Sequence, residues 1–349
     1  MAEKWKYMPL LKWKQGERLA LKNLASSQWE SIVPLIELQP IVAAPDRDSL
    51  RSALPNYLAK IAKEMAQAIP NDKPLVIDVR HVAPGYPGQL GLLKTVCAQL
   101  EKVAKRRVFP VLSEAVVSRH AADLSVIDGF DEYVLRIQTP LIKAAQVQAV
   151  VKQVVGSGIA KGRLHVVVDQ YSIVNEDPKA RLAMVRPYID EALAAACAST
   201  TVVGGSFPAN LIGFKQGMQD LPRVEWAVWR ALKKSPSHAS LRYGDYTVSN
   251  PAPVPDMDPK MVNPSVAIRY AAPDHWRLFK AGGFKKGKPN QYQNLCVLLL
   301  GDSVYCGAAF SFGDDCYDKA ANAKLGNGNP SSWRRDATSH HLVLTASTL

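Results

Sequence analysis

The chain is poor in cysteine: five in 349 residues, at 97, 197, 296, 306 and 316, with no CxxC among them. That scarcity argues against a thiolate zinc centre and a disulfide framework, and it fits a reducing cytoplasmic setting. Long apolar runs are also missing. No stretch reaches the length of a membrane-spanning helix, and the opening MAEKWKYMPLLKWKQGE is too broken by lysine to read as a secretory signal. No GxGxxG follows the first expected strand, so the sequence lacks a dinucleotide fingerprint. RGG tracts, low-complexity tails and repeats beyond a strand–helix unit are absent. Acidic residues are in deficit: 31 Asp and Glu stand against 43 Lys and Arg, a net charge of +12. Such an excess favours a polyanionic partner, nucleic acid or nucleotide, and gives no reason to expect a membrane.

What the chain does have is a succession of short apolar runs, most of which turn polar at their C-terminal ends. PLVIDVR (74–80) is the clearest. The others are YMPLLKW (7–13), IVPLIEL (32–38), VFPVLSE (108–114), YVLRIQ (133–138), LHVVVDQ (164–170), TVVGGSF (201–207) and LRYGDYTV (241–248). Runs apolar on both faces are the mark of parallel strands covered by helices. Amphipathic helical stretches separate nearly all of them, including residues 17–31, 47–68 and 223–234. Eight strands alternating with helices match a (β/α)₈ barrel of the TIM type; a doubly wound α/β sheet is the alternative.

After Asn250 the texture changes. Residues 250–264 hold five prolines. A hairpin is expected over 266–282, helices near 290–300 and 312–322, and a strand over 340–347, HHLVLTAS. The division is therefore 1–250 as the barrel and 251–349 as a smaller C-terminal α+β appendage.

In such a barrel, side chains facing outward from the strands meet helices and are apolar. Polar residues near strand C-termini therefore face the axis or the mouth, where active sites of this fold lie. That rule collects Lys12, Lys14, Glu37, Asp78, Arg80, Glu114, Arg136, Gln138, Asp169, Ser206 and Asp245, with Arg242 nearby. Two chemistries suit them. Glu37, Asp78 and Glu114, with Asp169 as a further oxygen donor, are expected as hard ligands for Mg²⁺ or Mn²⁺, with Lys14, Arg80, Arg136, Ser206 and Arg242 on phosphate oxygens and Lys12, Asp78, Asp169 and Glu37 as the catalytic groups. That is phosphoester or nucleotide chemistry. The other is a Schiff base on Lys12 or Lys14. A third reading has no chemistry: the charges neutralise one another and close the barrel. No histidine stands at an expected strand end, so His340, from the appendage, is the candidate acid or base if it reaches the mouth. The glycines of GGSFP (204–208) serve as an anion cradle or as packing necessities. Trp226 and Trp229, at i and i+3, read as core rather than as base-stacking residues.

PLLKWKQGE (9–17), VPLIEL (33–38), Asp78, GSFP (205–208), PRVEW (222–226), YGDY (243–246), IRY (268–270), WRLFK (276–280), Gly313-Asp314, WRR (333–335) and His340-His341 together resemble the beta family of proteins found in phages, prophages and bacterial mobile regions. The resemblance spans nearly the whole chain. It implies a setting in phage–host conflict, with a phage or host protein as a further partner, and assigns no catalytic residues. An enzyme and a non-catalytic interaction module both fit it.

Overall fold

The structure, a computed structural model, describes residues 5–41, 47–83, 88–252, 263–285 and 289–349. Lys286, Lys288 and most of the proline-rich 250–264 stretch lie outside the described residues. Eight parallel strands close into a barrel: β1 (Tyr7–Leu11), β2 (Leu35–Glu37), β3 (Leu75–Asp78), β4 (Val108–Ser113), β5 (Tyr133–Gln138), β6 (Leu164–Ser172), β7 (Ser199–Gly205) and β9 (Arg242–Asp245), with β9 pairing back onto β1. Helices α1 (Gln15–Lys22), α2 (Arg47–Ala68), α3 (Gln89–Ala104), α4 (Glu114–Arg119), α5 (Val147–Gly156), α6 (Pro178–Ala194) and α7 (Val224–Lys233) run between strands on the outside. The barrel is thus the one expected from the alternation of apolar runs and amphipathic helices. Asp177-Pro178 does open α6: the Asp177 carboxylate accepts from Ala180 N and Pro178 takes the first turn.

The interior is layered by the two-residue period of the strands. Met8, Leu10, Leu35, Val76, Phe109, Val111, Val134, Val167 and Val203 form the apolar filling, with Trp5 below and Tyr246 above. Two residues on from Leu35, Val76, Val134 and Val167 stand Glu37, Asp78, Arg136 and Asp169. The register pairs Leu35 with Val76, and Glu37 with Asp78. The polar residues therefore form the next layer toward the C-terminal mouth. The outer faces of the same strands join the helices in a larger apolar shell.

Beyond β9 the chain builds an antiparallel sheet from β10 (Ser265–Ala271) and β11 (His275–Gly283), joined at its edge by β8 (Gly217–Pro222). The hairpin matches expectation, but β8 lies where a loop is expected. Its alternation is masked because it is an exposed edge strand with little apolar content. Helices α8 (Gln291–Leu300) and α9 (Phe312–Ala321) cover this sheet.

The last element is α10 (Pro330–Thr348), a helix through the region expected to be a strand. Asn329 caps it, accepting from the amides of Ser331 and Ser332. From Asp336 to Thr345 every residue is buried, so no polar face advertises the helical period. α10 packs against α1, β1 and the small sheet. Two glycines permit the approach: a Cβ on Gly16 would stand 2.7 Å from Ser331 O, and one on Gly313 would stand 2.1 Å from Asp336 O. All five cysteines are free, with Cys97, Cys296 and Cys316 buried. No helix among the described residues is long and apolar enough to cross a membrane.

Candidate functional site at the barrel mouth

Arg136 stands at the centre of the polar layer, fully buried. Its Nη1 donates to Glu37 Oε1 at 2.7 Å and to Asp78 Oδ2 at 2.8 Å. Nε and Nη2 donate to Asp169 Oδ2 at 2.9 and 2.7 Å. Nη2 also meets the Tyr246 hydroxyl at 2.5 Å, which in turn donates to Asp169 Oδ2 at 2.6 Å. Burial alone would depress the guanidinium's pKa; Tyr246, Asp169, Glu37 and Asp78 outweigh it and hold the charge. Four strands thus contribute to one cluster through a single arginine fork.

Asp78 and Asp169 are fixed again by backbone. Asp78 Oδ1 accepts from Arg80 N at 2.9 Å and Asp169 Oδ1 from Tyr171 N at 2.8 Å. Arg80 Nε returns to Asp78 Oδ2 at 2.8 Å. Burial opposes ionisation of Asp78, but Arg80 and Arg136 override it and lower the carboxyl's pKa. Above this floor the rim is accessible. Arg80 and His81 keep 21% and 27% of their side-chain surface exposed, against 4% and 2% for Asp78 and Glu37. His81 Nε2 stands 3.8 Å from Glu37 Oε2. Burial, reinforced by Arg80 and Arg136, lowers the imidazole's pKa and leaves it neutral at pH 7. Burial likewise lowers Lys12 and raises Glu114. Lys12 Nζ donates to Ala252 O at 2.6 Å, and Lys14 is exposed beside it.

The structure therefore brings together Glu37, Asp78, Arg80, Arg136 and Asp169, with Lys12, Lys14 and Glu114 around them. Three other expected residues lie elsewhere. Arg242 opens β9, so it sits at the opposite end of the barrel, its guanidinium over the Trp5 ring. Ser206 is buried outside the barrel wall and accepts from Trp276 Nε1 at 3.0 Å. Cβ atoms at Gly204 and Gly205 would strike Ile173 and Pro251, so packing accounts for those glycines. His340 is fully buried, bonded through Nδ1 to Asp314 Oδ2 at 2.8 Å and through Nε2 to Ala271 O at 2.9 Å. Reasoning from strand ends misses His81, because it follows β3 by three residues in what reads as loop. It misses Tyr246 because the apolar environment of its ring hides the role of its hydroxyl.

Asp245 corrects the rule that polar strand ends face the axis. It points outward and accepts from Tyr7 Oη, Tyr243 Oη, Thr247 N and His341 Nε2 at 2.7, 2.9, 2.9 and 2.7 Å. α10 supplies His341, so this buried carboxylate pins the last helix to the barrel wall. Nearby, burial pushes the Glu225 carboxyl up to about 7 against the pull of Arg223 and Ser206, with Asp245 adding to the rise. The unfolded chain ionises Glu225 at its ordinary 4.5. Below that value this group leaves stability intact. As pH rises from 4.5 to about 7 the unfolded state sheds the proton first and stability falls. Wild type should lose on the order of 3 kcal/mol across that window relative to Glu225→Gln, measured by denaturant unfolding at pH 4.5 and 8.

A metal does not fit the mouth. The guanidinium of Arg136 already occupies the point where Glu37 and Asp78 meet, and among the described residues no group of three or more His, Cys, Asp or Glu is arranged to hold an ion.

No curated protein matches the chain. Residues 7–346 match the model of one family, described as Beta protein. That match takes in every strand of the barrel, the small sheet and nearly all of α10, and by it the chain belongs to the Beta protein family.

Proposed function

We propose that the barrel mouth is an active site for a phosphoester or nucleotide substrate. The observation that carries this reading is a pair of orphaned atoms at the C-terminal end of β2 and just beyond that of β3. Glu37 Oε2 and Arg80 Nη2 are buried with no hydrogen-bond partner among the described residues. Leaving such atoms unpaired costs roughly 1–3 kcal/mol each, which a ligand at the rim relieves. Arg80 Nη2, with Lys12 and Lys14, takes phosphoryl oxygens. Neutral His81 accepts the proton of an attacking water, and Glu37 stabilises the imidazolium that forms. The P–O ester bond breaks, and Lys12, whose pKa burial lowers, protonates the leaving oxygen. Arg136, Asp78 and Asp169 are positioning residues.

The test is hydrolysis of p-nitrophenyl phosphate, its bis ester and nucleoside phosphates. His81→Gln is expected to lower kcat by about 10²–10⁴. Arg80→Ala is expected to raise KM by about tenfold or more. Absence of turnover in wild type, or turnover indifferent to both changes, would remove the proposal.

A second reading rests on a different observation. A cleft of about 300 Å³ between α1 and α2 is lined by Arg18, Lys22, Lys60 and Lys63, with Glu64 paired to Arg18. It suits a phosphate backbone and supports a non-catalytic nucleic-acid-binding role, with phage–host conflict as the setting the sequence resemblance implies. Binding that weakens steeply with salt and survives Glu37→Ala with Asp78→Ala belongs to that surface.

A further inference from the structure

The opposite end of the barrel holds a second cluster that the mouth chemistry does not use. Tyr7 pairs with Tyr243, so the residues around the starts of β1 and β9 stand together at the N-terminal face. There Trp5, Lys6, Trp229, Lys233, Ser240 and Arg242 line a cleft of about 310 Å³. That is the small end of the range for small-molecule sites, roughly 300–1,000 Å³.

Three features give the cleft a chemistry. First, it gathers three cations, and among the described residues no aspartate or glutamate side chain lines it. Lys6 and Lys233 face one another closely enough that Lys6 adds to burial in lowering the Lys233 ammonium's pKa. Lys6 Nζ donates to an oxygen of Leu349, the last residue of the sequence, at 3.1 Å, and Lys233 Nζ donates to the Ala239 carbonyl. The Ala239 carbonyl accepts a hydrogen bond but does not neutralise Lys233. Second, two indoles line it, Trp229 half-buried and Trp5 almost wholly buried. The Arg242 guanidinium lies 3.9 Å from the Trp5 ring centroid, and Lys233 Nζ lies 5.9 Å from that of Trp229. Third, Trp229 Nε1 is buried with no acceptor among the described residues. An indole N–H can only donate, so it calls for an acceptor from whatever fills the cleft.

Convergent cations ask for an anion, indole walls for a planar ring, and an orphaned N–H for an acceptor on that ring. We propose that this cleft binds a nucleoside monophosphate, its base against the indoles with an acceptor to Trp229 Nε1, and its phosphate on Lys6 and Lys233. Among the described residues no aspartate, glutamate or histidine side chain lines the cleft, and the role proposed for it is binding. It stands independently of the mouth.

Calorimetric titration of the full chain with AMP, GMP, CMP and UMP, alongside inorganic phosphate and adenosine, tests this. At least one monophosphate should bind and quench tryptophan fluorescence, and both fragments should bind about tenfold or more weakly. Lys6→Glu with Lys233→Glu, at sites with solvent access, should weaken binding by about tenfold or more. Trp229→Phe keeps the ring, loses the donor, and should weaken it by about threefold to tenfold. Arg80→Ala, at the mouth, should leave this binding unchanged, which separates the two sites. Four monophosphates that all fail to bind would overturn the proposal. So would inorganic phosphate binding as tightly as the nucleotide, or affinity held within about twofold in a folded Lys6→Glu/Lys233→Glu variant.

Discussion

Arg136→Met should lower the free energy of unfolding by roughly 3–5 kcal/mol at pH 7. Methionine fills similar volume, so the loss reports charge rather than a cavity. Without the guanidinium, Glu37, Asp78 and Asp169 converge in the barrel axis with Arg80, bonded to Asp78, as the cation left beside them among the described residues. Each carboxylate then favours its protonated form, because burial and like charges both oppose ionisation. The sign with pH follows. In wild type the Asp78 carboxyl is held below its ordinary value, so its contribution is present at neutral pH and fades in acid. In the variant the carboxyls protonate on folding, so stability rises as pH falls from 7 toward 5. The gap between the two proteins in denaturant unfolding should therefore narrow in acid. Arg136→Lys restores one charge without the five-donor fork and should fall between them. A gap that stays constant with pH would mean that Arg136 acts through packing alone.

Asp245→Ala is expected to cost a similar amount, roughly 3–5 kcal/mol, for a different reason. Four donors converge on this one buried carboxylate, from β1, β9 and α10. Removing it strands Tyr7 Oη, Tyr243 Oη, Thr247 N and His341 Nε2 without water to replace it. His341 is already held neutral, chiefly by burial, and its Nδ1 has no hydrogen-bond partner among the described residues. The loss should therefore fall on the seat of α10. Hydrogen exchange should show α10 opening more than β4 or β5 in the variant. Equal protection across those elements, with little change in unfolding free energy, would deny the carboxylate this role.

These two residues also show how far the sequence could be read. Arg136 and its partners were legible because parallel strands repeat every two residues. An apolar position followed two later by a charge, on four strands in register, can only stack one layer above another. Asp245 has the same position at the end of its strand and the opposite orientation. The strand period itself turns it outward, because Tyr243 two residues earlier belongs to the outer shell; its partner His341 comes from α10, beyond the small sheet. Ser206, four residues on from outward Val202, faces out by the same period and meets Trp276. Arg242 was misplaced by three residues along a strand, which in a barrel is the distance from floor to mouth. In sequence α10 reads as strand because Leu342, Val343 and Leu344 are consecutive, and a helix covered on all sides loses the alternation that betrays it. His81 was passed over because a position just beyond a strand end has no periodicity to place it.

The most direct test of the mouth is a crystal structure of the full chain soaked with inorganic phosphate. A phosphate oxygen is expected on Arg80 Nη2, with Lys12 and His81 close by and the Arg136 fork unchanged beneath it. A mouth that stays empty of phosphate, with Arg80 Nη2 and Glu37 Oε2 satisfied by other parts of the chain, would contradict it.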